Sequence, residues 1–128
     1  MAQTDKLKVV LCWHMHQPHY RDGKDGQYRL PWVYLHAIKD YTDMVAHLED
    51  CPEARVVVNF APVLLEQLDD YVRQLDGWLE QGLPMQDGML NLLAGVQAIP
   101  TDLDARYKLL LDCQRGHHPT MIAPHAEF

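Results

Sequence analysis

The sequence predicts an α/β fold that opens on a parallel βαβ unit. Two observations carry that class: a pair of short Val-rich runs, and between them a long segment whose apolar residues recur at spacings of three and four. A strand, a helix and a strand in that order imply a right-handed parallel crossover. Length adds a third constraint. A complete barrel of alternating strands and helices takes about 250 residues, so a chain of 128 residues holds only part of one.

The first element is the run KLKVVLCW, residues 6–13, whose Val, Leu and Trp content fits a strand buried on both faces. A polar segment from His14 to Pro31 follows, with two prolines and two glycines, and reads as a long loop of the kind that carries function. Between Pro31 and Asp50 the residues Tyr34, Ala37, Ile38, Tyr41, Met44, Val45 and Leu48 mark an amphipathic helix, stopped by Pro52. RVVVNF, residues 55–60, is the second strand, with Asn59 as its polar exception near the carboxyl end. Pro62 suits a first helical turn. Leu64, Leu65, Leu68, Tyr71, Val72, Leu75 and Leu79 then outline a helix ending near Gly82. Beyond it, residues 86–98 suit a short helix interrupted by Gly95, and Thr101 with Asp104 resembles a capping arrangement for a helix through about Gln114.

A formal net charge of −7 argues against a nucleic-acid surface, which needs clustered Lys and Arg, and against anionic membranes. No apolar run approaches the roughly 20 residues of a spanning helix, and the start, MAQTDKLK, leads to no small-residue cleavage site, so a cytoplasmic location is the default expectation. Cys12, Cys51 and Cys113 are odd in number and form no CxxC pair. They read as buried free thiols rather than a disulfide framework or a zinc-thiolate site.

The densest polar chemistry is HMHQPHY, residues 14–20, directly after the first strand. In parallel α/β folds ligands bind at the carboxyl ends of strands. If extended geometry continues through the motif, His14 and His16 share a face. Two converging imidazoles either bind a metal such as zinc or hydrogen-bond a polyhydroxylated substrate. A catalytic zinc needs a third protein ligand, for which His19, His36 or a distant acid are the choices. His47 reads as solvated, and His117, His118 and His125 lie in the tail, where a surface origin is as reasonable as a ligand role. Trp32, Tyr20 and Tyr28 add aromatic surface on which sugar C–H faces pack, and Gln17, Asn59 and Arg21 add partners for hydroxyls. The absence of GxGxxG or P-loop patterns removes the usual phosphate cradles. The blander alternatives are histidines capping a strand end, Asn59 satisfying local backbone groups and Trp32 packing at a helix entry.

The order of these residues resembles a known family. HMHQPHYR at 14–21, LPWVYLHAIKDYTDM at 30–44 and VVNFAPVLLEQLDDY at 57–71 are similar to the start of glycoside hydrolase family 57, with the likeness covering about residues 8–75 and weaker past Gly82. That family comprises α-glucan-active enzymes: α-amylases, 4-α-glucanotransferases, branching enzymes and amylopullulanases. The resemblance implies an incomplete (β/α)7 barrel, of which this chain is the parallel βαβ opening portion with additional helices, residues 83–128 being helical. It implies a retaining mechanism with a Glu nucleophile and an Asp acid/base and no cofactor or metal. The HQP triplet after the first strand matches His16, Gln17 and Pro18, which would put His16 in the subsite next to the scissile bond with His14 beside it. Trp32, His36 and Asn59 fall in the matching blocks and complete the substrate-binding set. The family's two catalytic acids lie on later strands, and no acid of this chain matches either motif. The expectation is therefore an N-terminal fragment that binds an α-1,4-glucan or maltooligosaccharide, is inactive alone, and self-associates through exposed barrel edges. Its acids Asp40, Asp43, Glu66, Asp69 and Asp70 read as a solvated helix face. A metal-dependent hydrolase or deacetylase-like domain, and a non-catalytic carbohydrate-binding module, are the alternatives.

Overall fold

The computed structural model describes residues 7–114, with Pro119 and Ala123. Lys6 of the expected first strand and the tail histidines His117, His118 and His125 lie outside the described residues. The described residues fall into two compact units divided after Asp87.

The first unit begins with β1, Leu11–Met15, and contains β2, Val56–Phe60. The two pair in parallel, Leu11 opposite Val56 and His14 opposite Asn59. The long segment between them is helical, as its periodicity predicts, but in three pieces. A short α1, Trp32–His36, runs into a π-helical segment, Ala37–Tyr41, and on into α2, Thr42–Asp50. The π-helical turn uses i→i+5 backbone bonds in place of i→i+4, and the Thr42 hydroxyl donates across it to Ala37 O at 3.0 Å. Cys51 and Pro52 end the helix outside helical geometry.

Helix α3, Pro62–Gln81, follows β2 with Pro62 in its first turn, where a missing N–H costs nothing. It stops at Gly82, whose φ of 68° is left-handed and whose N–H donates back to Trp78 O at 2.8 Å. The core of this unit gathers Met15, Val33, Tyr34, Ala61, Leu64 and Tyr71.

The strands differ from expectation in burial. Met15 is buried, but Leu11 is 53% exposed and Val57 52%. A two-stranded sheet has two faces and two edges to cover, and within this unit the burial is concentrated at its carboxyl end, at Met15 and the following Ala61. The cysteines also depart from expectation: all three are free, but exposed rather than buried. Cys12 sits on an uncovered strand, and Cys51 and Cys113 at helix ends.

The second unit holds α4, Gly88–Leu93, a turn in which Gly95 has φ 70°, and α5, Leu103–Cys113. The cap of α5 is Asp102, one residue beyond the expected Thr101; its carboxylate accepts from Ala105 N–H at 2.9 Å.

Candidate substrate site at the strand ends

The register of the sheet builds the centre of the site. His14 and Asn59 are opposite one another on adjacent parallel strands, and His14 Nδ1 lies 2.6 Å from Asn59 Oδ1. His16, two residues on, returns to the same side of the chain as the alternation of an extended backbone requires. Its ring stacks on that of His14 with centroids 5.9 Å apart and planes 13° from parallel. All three side chains are exposed at the carboxyl end of the sheet.

The segment carrying His16 and Gln17 is held from below by Gln67 of α3. This amide is 1% exposed and uses both ends: Oε1 accepts from Tyr20 N–H at 2.9 Å, while Nε2 donates to Pro18 O and to Val63 O, each at 3.0 Å. Ala61 N–H donates to Met15 O at 2.9 Å, tying the ends of the two strands together. Gln17 is half-buried and accepts from the Tyr20 hydroxyl at 3.1 Å.

The rest of the loop folds back on itself through a bridge between Arg21 and Tyr28 and is anchored to α3 by charge. Arg21 donates to Asp70 at 3.3 Å, to Gly26 O at 3.0 Å and to Gln86 at 2.6 Å. Asp70 also accepts from the Tyr28 hydroxyl at 3.0 Å and from Gln74 at 2.7 Å. It is therefore not on a solvated face as expected: its side chain is 14% exposed. Deeper, Tyr71 donates to buried Asp87 at 2.7 Å, and its ring lies 4.3 Å from that of Tyr28 and 5.6 Å, edge-on, from that of Tyr34. Burial first, then the hydrogen bond to a carboxylate, pushes the Tyr28 and Tyr71 hydroxyls far above the ordinary tyrosine range. On the exposed loop tip Asp22 is held below its usual value by the Lys24 backbone N–H, then by Arg29.

Trp32 and His36 form a second group. Trp32 opens α1 and His36 closes it, with ring centroids 6.4 Å apart. His36 also pairs with Asp40 and lies 6.5 Å from the Tyr41 ring. Of the six expected binding residues, then, His14, His16 and Asn59 converge, Gln17 adjoins them in sequence, and Trp32 and His36 make a separate pair. Among the described residues no hydrogen bond or ring contact joins the two groups. Nor does any group of three or more His, Cys, Asp or Glu side chains converge as a metal site among them.

Sequence reasoning missed Gln67, Asp87 and the buried state of Asp70. Gln67 had a visible signal, because it lies three residues after Leu64 and four before Tyr71, on the stripe that α3 buries. Asp87, in a Gly- and Pro-flanked stretch, had none.

These features define a class: an α/β unit that presents hydrogen-bonding side chains at the carboxyl ends of parallel strands, where ligands of such folds bind. Within that class the chain belongs to glycosyl hydrolase family 57, whose sequence profile matches residues 10–115. The match runs well past residue 71, where the last of the similar blocks ends, and takes in α3, α4 and α5. It makes the chain a glycoside hydrolase domain. No curated protein and no solved structure matches it. Among the described residues, no helix is long and apolar enough to cross a membrane.

Proposed function

We propose that this chain supplies the substrate-holding opening portion of an α-glucan-acting retaining glycoside hydrolase or glucanotransferase. His14 and His16 position a glucosyl unit, with Gln17 and Asn59 beside them and Trp32 and His36 on the flank. The observation that carries the reading is the convergence of His14, His16 and Asn59 at the strand ends. Stacked imidazoles and an amide offer donors and acceptors at fixed positions, which suits a ligand made of hydroxyl groups.

The chain by itself does not turn glucan over on this reading. Retaining hydrolysis needs two carboxyl groups about 5 Å apart across the scissile bond. Among the described residues no carboxylate forms a hydrogen bond or ion pair with His14, His16 or Asn59, and Asp40, Asp43, Asp69 and Asp70 are engaged with His36, Lys39, Arg73 and Arg21. The metal-dependent alternative requires a third ligand near the two histidines, and the described residues lend it no support.

Titration with maltoheptaose tests the reading. Binding is expected, followed by calorimetry or by NMR, together with its loss in a His14→Ala/His16→Ala double variant and no release of reducing ends. Unchanged affinity in the double variant would remove the site from these residues. Stoichiometric zinc that disappears in the same variant would replace the glucan reading with the metal-dependent one.

A further inference from the structure

The contact between His14 and Asn59 decides which nitrogen of the histidine holds the proton. An amide oxygen has no hydrogen to give, so Asn59 Oδ1 at 2.6 Å from His14 Nδ1 is an acceptor. Nδ1 must therefore carry the hydrogen, and a neutral imidazole protonated there leaves Nε2 as a bare acceptor. Free histidine in water favours the opposite tautomer, so the preference has to be imposed. The parallel register imposes it, since His14 and Asn59 face each other as paired residues near the ends of the two strands. Among the described residues, nothing hydrogen-bonds to His14 Nε2.

We infer that Asn59 is a positioning residue that holds His14 as the Nδ1–H tautomer, so that His14 meets the ligand as an acceptor of a hydroxyl proton and not as a donor. Naming that ligand a glucan rests on the function proposed above; the tautomer itself does not. The consequence is specificity. A donor such as a sugar hydroxyl is welcomed at Nε2, whereas a carbonyl or carboxylate oxygen brought there faces a lone pair.

The experiment is a two-bond 1H–15N correlation spectrum of the chain labelled at its imidazole nitrogens, at about pH 9, where imidazoles are neutral. The His14 signals are identified by their absence in His14→Ala. The expected pattern has protonated Nδ1 and unprotonated Nε2. In Asn59→Ala it shifts toward Nε2–H. In Asn59→Asp, where an oxygen still faces Nδ1, it stays as in the wild type, an outcome that loss of packing alone would not produce. With maltoheptaose the wild-type Nε2 signal moves while remaining unprotonated, and Asn59→Ala binds about tenfold more weakly, the loss of one well-placed hydrogen bond. A wild-type His14 protonated at Nε2, or an Asn59→Ala spectrum unchanged from wild type, overturns the inference. Protonation of Nε2 on ligand binding overturns the acceptor role. Failure of the wild type to bind maltoheptaose sinks the glucan reading and the sugar-binding half of the inference, while the free-protein spectra still decide the role of Asn59.

Discussion

Gln67 is the residue on which the site's geometry depends most heavily without belonging to it. Its amide satisfies Tyr20 N–H and Pro18 O, the two backbone groups that bracket His19 just after the HQP triplet. Truncation to Ala leaves both without a partner in a part-buried setting, at a cost of roughly 1–3 kcal/mol each. Gln67→Ala is therefore expected to lower stability by about 3 kcal/mol in denaturant melts. It should also raise hydrogen exchange in residues 16–20 above that in β2, whereas a uniform rise would mean that the amide supports the whole unit and not this loop. The tyrosines make a second prediction at this scale. In the unfolded chain Tyr28 and Tyr71 ionise near pH 10; in the folded chain burial and their carboxylate partners keep them protonated well beyond it. The folded state then holds more protons than the unfolded state, so their contribution is complete below about pH 10 and is lost as pH rises further. Thermal melts between about pH 8 and pH 11 should show Tm falling steeply above pH 10. The fall should be shallower in Tyr71→Phe, and an equal slope would exclude Tyr71 as its source.

Elements were more legible in the sequence than the faces they bury. The helix over 31–50, the strand over 55–60 and the stop at Gly82 follow from spacing, β-branching and a glycine, which are local properties. Which side of α3 turns inward is not local. The apolar spacing allows a stripe that includes Leu65, Val72 and Leu79, yet the buried residues are Leu64, Gln67 and Tyr71, because polar partners on the loop and an aromatic cluster lie on that side. The π-helical turn was likewise invisible, since one extra residue within three- and four-residue spacing leaves the pattern readable. Of the site, His14, His16 and Asn59 could be placed together because strand alternation and strand-end position are sequence properties. That no hydrogen bond or ring contact joins Trp32 and His36 to them among the described residues could not be read, because it depends on how a helix docks. At Gly82 the element scale gives its own test. Nothing lies within 4 Å of a Cβ built there, so Gly82→Ala meets only the backbone cost of φ 68°. That cost is about 1–2 kcal/mol, expected as a lower Tm with unchanged maltoheptaose affinity.

At the scale of the whole molecule, the distribution of apolar surface is the feature that asks for an explanation. Leu65, Val72 and Leu79 are 49%, 55% and 70% exposed. Spaced seven apart on one helix, they fall on one face. Further apolar surface is open on the sheet at Leu11, Val57 and Phe60. Burying a Leu or Val side chain fully is worth about 1.5–3 kcal/mol. Covering the exposed half of the three α3 residues in each of two copies therefore supplies about 6 kcal/mol. That sum only reaches the lower end of the roughly 4–15 kcal/mol cost of association, so the helix stripe alone is expected to give a weak, concentration-dependent dimer at most, and covering the open strands as well would strengthen it. Sedimentation velocity over a concentration series is expected to show the mean mass rising with concentration. Leu65→Glu/Leu79→Glu should move the onset to higher concentration without lowering Tm, since neither side chain is in the core. Val57→Lys should do the same if the sheet contributes. A monomer at every concentration, with no dye binding to exposed apolar surface, would show that these faces are too dispersed to act together.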